Sequence, residues 1–179
     1  MRLFVALDLP EDTKDALSDL AGGIPGLRWV PRANYHLTLR FIGETPPLRA
    51  EEADAALAAI RARPFDLRLG APGLFEKNGQ AQSLHLTAER TPGLEHLRTK
   101  VETALQRAGF AAEKRRFAPH VTLARCGPAA PLPKLVAFLQ AHALLRLPPV
   151  TVERFTLFSS VLGKEASHYT PEVDYPLAA

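Results

Sequence analysis

One short phrase occurs twice and constrains the whole chain: His36-Leu37-Thr38-Leu39-Arg40, then His120-Val121-Thr122-Leu123-Ala124-Arg125. Nearly half of the 179 residues separate the two histidines. Both phrases alternate polar and apolar residues, the pattern of a half-buried β-strand. On such a strand His and the Thr two places on share one face, while Leu37 and Leu39, or Val121 and Leu123, occupy the other. Chance predicts fewer than one His-x-Thr triplet in a chain of this composition, and three occur. The third, His85-Leu86-Thr87, runs on into Ala88-Glu89, where a carboxylate would repel a phosphate. The repeated pair in its context therefore carries the argument.

An imidazole titrates near neutrality, and a hydroxyl both donates and accepts hydrogen bonds. Two facing His/Thr pairs supply an acid, a base and two oxyanion-binding hydroxyls without a metal, enough to cleave a phosphodiester. The candidate catalytic residues are His36 and His120. Thr38, Thr122 and Arg125 are the candidate substrate-binding residues. Arg40 shares the parity of His36 and could face the same way. Arg125 has the opposite parity to His120, so a bulge is needed to aim it at the site. Trp29, Phe41 and Tyr169 are candidates to stack a base, although core packing is the expected role of Trp29 and Phe41. His96, His142 and His168 read as structural or solvent-exposed; so does His85, whose strand can approach the site.

Composition narrows the class. Hydrophobic residues make up 46% and charged ones 23%, as in ordinary globular domains. A net charge of +3 suits a phosphate-bearing ligand without proving nucleic-acid binding. Cys126 is alone, so neither an internal disulfide nor a cysteine metal cage is available. The apolar run Leu3–Leu7 is broken by Asp8, too short for a signal segment or membrane span, and a cytoplasmic protein is expected. No His-x-His or clustered His/Asp spacing supports a metal, and no glycine-rich phosphate loop supports ATP; no cofactor is expected.

Both halves read strand, helix, short extended piece, His-x-Thr strand, helix, strand, strand. The expected strands are Arg2–Asp8, Leu27–Val30, His36–Ile42, Phe65–Leu69, Leu84–Ala88, Phe117–Ala124, Val150–Phe158 and Tyr169–Leu177. Expected helices start at Pro10, after a Thr45-Pro46 cap, after a Thr91-Pro92 cap and near Pro133. The resulting fold class is α+β: bilobal and internally duplicated, with two antiparallel sheets flanked by helices around a central cleft. One domain, residues 1–179, holds two pseudo-symmetric lobes. Oligomeric state is not encoded in any motif; a monomer is the expectation.

The two motifs, with Arg2-Leu3-Phe4-Val5-Ala6-Leu7-Asp8-Leu9-Pro10, Phe41-Ile42-Gly43-Glu44, Phe117-Ala118-Pro119 and Leu157–Gly163 followed by Tyr169, resemble the two-histidine (2H) phosphoesterase superfamily. Within it the chain is similar to the RNA 2′,3′-cyclic phosphodiesterases, long labelled 2′-5′ RNA ligases and called LigT-like. It departs from them in Lys164–His168, which carries charges where the family often has Gly and Pro. The resemblance implies hydrolysis of a 2′,3′-cyclic phosphate end on RNA, or of a small cyclic nucleotide, to a 2′-phosphomonoester, with 2′-5′ ligation as the reverse. It also implies Arg125 in the site, His36 as proton donor and His120 as acceptor; the residues themselves leave those two roles interchangeable. The competing reading is a noncatalytic RNA- or nucleotide-binding module using the same cleft.

Overall fold

The computed structural model describes residues 1–179. In chain order the elements are β1 (Arg2–Asp8), α1 (Glu11–Asp19), β2 (Leu27–Trp29), β3 (His36–Glu44), α2 (Pro47–Ala58), β4 (Phe65–Leu67) and β5 (Leu69–Lys77). They continue as β6 (Gln80–Ala88), α3 (Pro92–Arg107), β7 (His120–Cys126), α4 (Leu132–Ala141), β8 (Val150–Val152), β9 (Arg154–Val161) and β10 (His168–Pro176). The fold is α+β with two antiparallel sheets. The large one runs β10-β9-β1-β3-β7-β6-β5, with β2 also on β7; the small one is β4-β8. A core of 28 buried residues fills the helix side, including Leu37, Leu39, Val121 and Leu123, each at most 3% exposed. Burying each such aliphatic side chain stabilises the fold by about 1.5–3 kcal/mol, which fixes which way the intervening His and Thr must point.

The two His strands meet in the middle of the large sheet through one bridge, Leu37 with Val121. On the His36 side lie β1, β9 and β10; on the His120 side lie β6, β5 and β2. The halves of the sequence therefore exchange their closing strands. β5 and β6, which follow the first motif, flank the second, and β9 and β10 flank the first. The small sheet shows the same device twice. The expected strand over 65–69 breaks at Arg68 and that over 150–158 at Glu153, each passing from the small sheet to the large one.

The other departures have local causes. Leu69–Lys77, which contains Pro72, is a strand, although the expected one stops at Leu69. It lies at the sheet edge, where a proline's missing N–H is tolerated. Asn78 and Gly79 both have positive φ, 53° and 77°, as a two-residue hairpin turn requires. Thr91 caps α3, accepting from the Leu94 N–H at 3.4 Å, as its position suggests. Thr45 does not cap α2. Its hydroxyl donates to the Gly43 carbonyl at 2.8 Å, and Pro46 opens the helix without a side-chain bond.

Gly26 holds the far end of β7 in place. Its carbonyl accepts from the Gly127 N–H at 2.9 Å, its φ is +78°, and an added Cβ would lie 2.8 Å from the Ala130 nitrogen. Gly26→Ala combines left-handed backbone strain with a backbone clash, and is expected to destabilise by about 2 kcal/mol or more. The urea midpoint checks this.

Candidate active site

His36 opens β3 and His120 opens β7. Because Leu37 and Val121 pair across an antiparallel junction, the next steps bring His36 toward Thr122 and Thr38 toward His120. All four polar side chains thus stand on the face opposite the core, related by a local two-fold. Each imidazole is held in the same way. The Asn34 carbonyl lies 2.7 Å from His36 Nδ1, and the Ala118 carbonyl 2.6 Å from His120 Nδ1. A carbonyl only accepts, so both Nδ1 atoms must carry the proton. Each Nε2 is then the working atom, a lone pair when the ring is neutral and a donor when it is charged. His36 Nε2 lies 2.9 Å from Thr38 Oγ1.

A bulge sits at the same place in both strands. Between β1 and β3 the register steps from Ala6/Thr38 to Val5/Arg40, leaving Leu39 as the extra residue. Between β6 and β7 it steps from His85/Thr122 to Leu84/Ala124, leaving Leu123 extra. An extra residue reverses side-chain parity beyond it. Arg125, opposite Ser83, therefore turns to the face of His120 and Thr122. By the same rule Arg40 turns away from His36, contrary to its expected parity. It is buried against α3, with Nε 2.6 Å from Glu102 Oε2. Phe41 takes the place equivalent to Arg125 and is 49% exposed, so it is not the core residue expected of it.

Aromatic rings box both histidines. Phe4 and Tyr169 lie 5.1 and 5.2 Å from the His36 ring, and Phe158 stacks on Phe4 at 5.2 Å. His120 is flanked by Phe75 at 4.7 Å and His85 at 5.2 Å. Strand periodicity could have found Phe4, whose parity opposes the core residues Leu3 and Val5. Phe75 and Phe158 depend on pairings that local sequence does not reveal. Trp29 packs on Phe138 instead, while His96 and His168 are exposed.

Burial lowers the pKa of both histidines. For His36 the Asn34 carbonyl and Asp8 oppose this, while the like charges of His120 and Arg125 add to it. For His120 the Ala118 carbonyl opposes it and Arg125 adds to it. Asp8, paired with His36 on β1, thus favours the protonated form of that ring, whereas Arg125 favours the neutral form of both. No helix is long and apolar enough to cross a membrane.

Comparison with known proteins points the same way. The profile of the 2′-5′ RNA ligase superfamily matches residues 8–164. An RNA 2′,3′-cyclic phosphodiesterase of Aeropyrum pernix is 35% identical over 82% of this chain and 84% of its own. One of Thermus thermophilus is 34% identical over 95% and 87%. The match to a Geobacillus stearothermophilus phosphodiesterase, 34% identical over 68% of this chain, spans 41% of that longer protein. The crystal structure of TT0787 from Thermus thermophilus superposes with TM-score 0.81 and 29% identity, covering 99% of this chain and 98% of that one. E. coli LigT complexed with 3′-AMP gives 0.77 and 26% over the same shares. Sequence and fold agree across nearly all of the chain, and it belongs to the 2′-5′ RNA ligase superfamily.

Proposed function

We propose that this protein is a single two-lobed domain that hydrolyses RNA 2′,3′-cyclic phosphate ends to 2′-phosphomonoesters, with His36 and His120 as a metal-independent acid–base pair. The observation that carries the reading is the matched pair of imidazoles, each with Nδ1 tied to the carbonyl two residues before it. Neutral His120 takes a proton from water through Nε2 as the water oxygen bonds to phosphorus. Protonated His36 gives its Nε2 proton to the ribose 3′-oxygen as that P–O bond breaks. Asp8 supports a charged His36 and Arg125 a neutral His120, while burial and the charges of His120 and Arg125 oppose a charged His36, so the division of labour follows the family resemblance. Water adds one proton and one is returned, so the protein finishes with its charge inverted between the rings and resets through solvent.

Thr38, Thr122 and Arg125 bind the non-bridging oxygens, where negative charge grows in the transition state. Tyr169, Phe4 and exposed Phe41 form an apolar wall beside His36 that suits the terminal nucleoside. Small cyclic nucleotides fit the same chemistry. Ligation to a 2′-5′ bond is the reverse step, disfavoured by ring strain and by the excess of water.

A short RNA with a 2′,3′-cyclic end tests the proposal: the expected product is the 2′-phosphate, at a rate unaffected by exhaustive chelation. A 3′-phosphate product, or loss of activity with chelator, would refute it. Thr38→Val and Thr122→Val should each lower kcat by about 10–10³-fold with smaller effects on KM, since each removes one oxyanion donor. Steady-state kinetics on the same RNA provide the check.

A further inference from the structure

We propose that His85 is a positioning residue for His120: its ring, seated between Phe75 and His120, walls water away from one side of that imidazole and holds its plane. The inference rests on His120 being the base. His85 on β6 is 5% exposed, and its Nδ1 has no hydrogen-bond partner. A buried polar atom left unpaired costs about 1–3 kcal/mol, so hydrogen bonding does not account for an imidazole here. What the ring does have is contact. It stacks on Phe75 with centroids 4.2 Å apart and planes 26° from parallel. It meets the His120 ring at 5.2 Å and 63°, while Phe75 meets the same ring edge-on at 4.7 Å and 82°. The three rings form a closed triangle. Space for it comes from Gly73 on β5, where an added Cβ would lie 2.9 Å from His85 Nε2.

The other motif histidine is boxed by two aromatic rings, Phe4 and Tyr169. At His120 one of the two boxing rings is an imidazole. It must stay uncharged to serve as such, and burial followed by the neighbouring His120 charge pushes its pKa down to about 4. The titratable and charged groups facing His120 are His36 from β3, His85 from β6 and Arg125 on its own strand; Phe75 from β5 brings none. With the His85 ring in place, burial is the largest influence holding His120 neutral.

The test is an NMR titration of the histidine side chains in the full chain, alongside pH profiles of kcat/KM on the cyclic-ended RNA. In His85→Ala the His120 midpoint should rise toward the ordinary imidazole value, and the acid limb of kcat/KM should rise by the same shift. The alkaline limb, set by His36, should stay in place. His85→Phe keeps the ring and should keep both the midpoint and the limb near wild type, a rescue that loss of a hydrogen bond would not give. His85→Thr, favourable in a strand, opens the same side and replaces the alanine variant should that fail to fold. An unmoved His120 midpoint in the small variants, or an equal shift in His85→Phe, overturns the proposal. Absence of hydrolysis by wild type would instead overturn the activity reading, and the NMR midpoints would still decide whether His85 is the wall.

Discussion

His36→Ala and His120→Ala are each expected to lower kcat/KM for the cyclic phosphodiester by about 10²–10⁴-fold, the usual worth of one positioned acid or base. The double variant should lose little more than the worse single one, because the two groups act on one proton inventory. Burial lowers both pKa values in the free protein. The bell of kcat/KM should therefore be centred on the acid side of an ordinary imidazole titration. A bound phosphodiester anion favours charged rings, so the bell of kcat should lie at higher pH. Near wild-type turnover in either single variant would dismiss the paired scheme.

Arg40→Ala should be the most destabilising single change outside the apolar core. The Arg40 guanidinium lies 2.6 Å from Glu102 and donates to the Phe41 carbonyl at 2.5 Å and to that of Ala111. The other Glu102 oxygen accepts from Gln106 at 2.8 Å and from the Glu113 N–H at 2.9 Å. Removing one partner of a buried pair leaves the other charge uncompensated, at a cost of about 3–5 kcal/mol. Desolvation alone would raise the Glu102 pKa; Arg40 and the two N–H donors outweigh it and hold it at about 2. The folded value lies below the unfolded one near 4.5, so this contribution is complete above that pH and is lost as pH falls toward 2. Urea unfolding at neutral and acid pH should show the gap between wild type and Arg40→Ala narrowing as the medium is acidified.

The repeated His-x-Thr phrase revealed the shared face of the site because strand alternation and burial of Leu37, Leu39, Val121 and Leu123 are both local patterns. β1 has the predicted bounds for the same reason. The bulges at Leu39 and Leu123 are pairing events between strands, and nothing in either motif announces them. Regular alternation therefore misplaced Arg40 and Phe41. For Arg125 the family resemblance, and not alternation, put the residue in the site, with a bulge as the device needed to aim it. β5 carries Gly70, Pro72 and Gly73, residues a strand tolerates at a sheet edge, and its extent past Leu69 depends on its pairing with β6. His85 stood out as a third triplet, but its contact with His120 depends on which strands become neighbours.

The exchange of closing strands bears on biosynthesis. β1 and β3 emerge from the ribosome early, yet the strand that covers the open side of β1 is β9, near the C-terminus. The second-motif wing, by contrast, has all its strands as soon as β7 has been made. During translation the later motif should therefore reach its native surroundings first, and the earlier one should wait, with an unprotected strand edge, until the last segment is released.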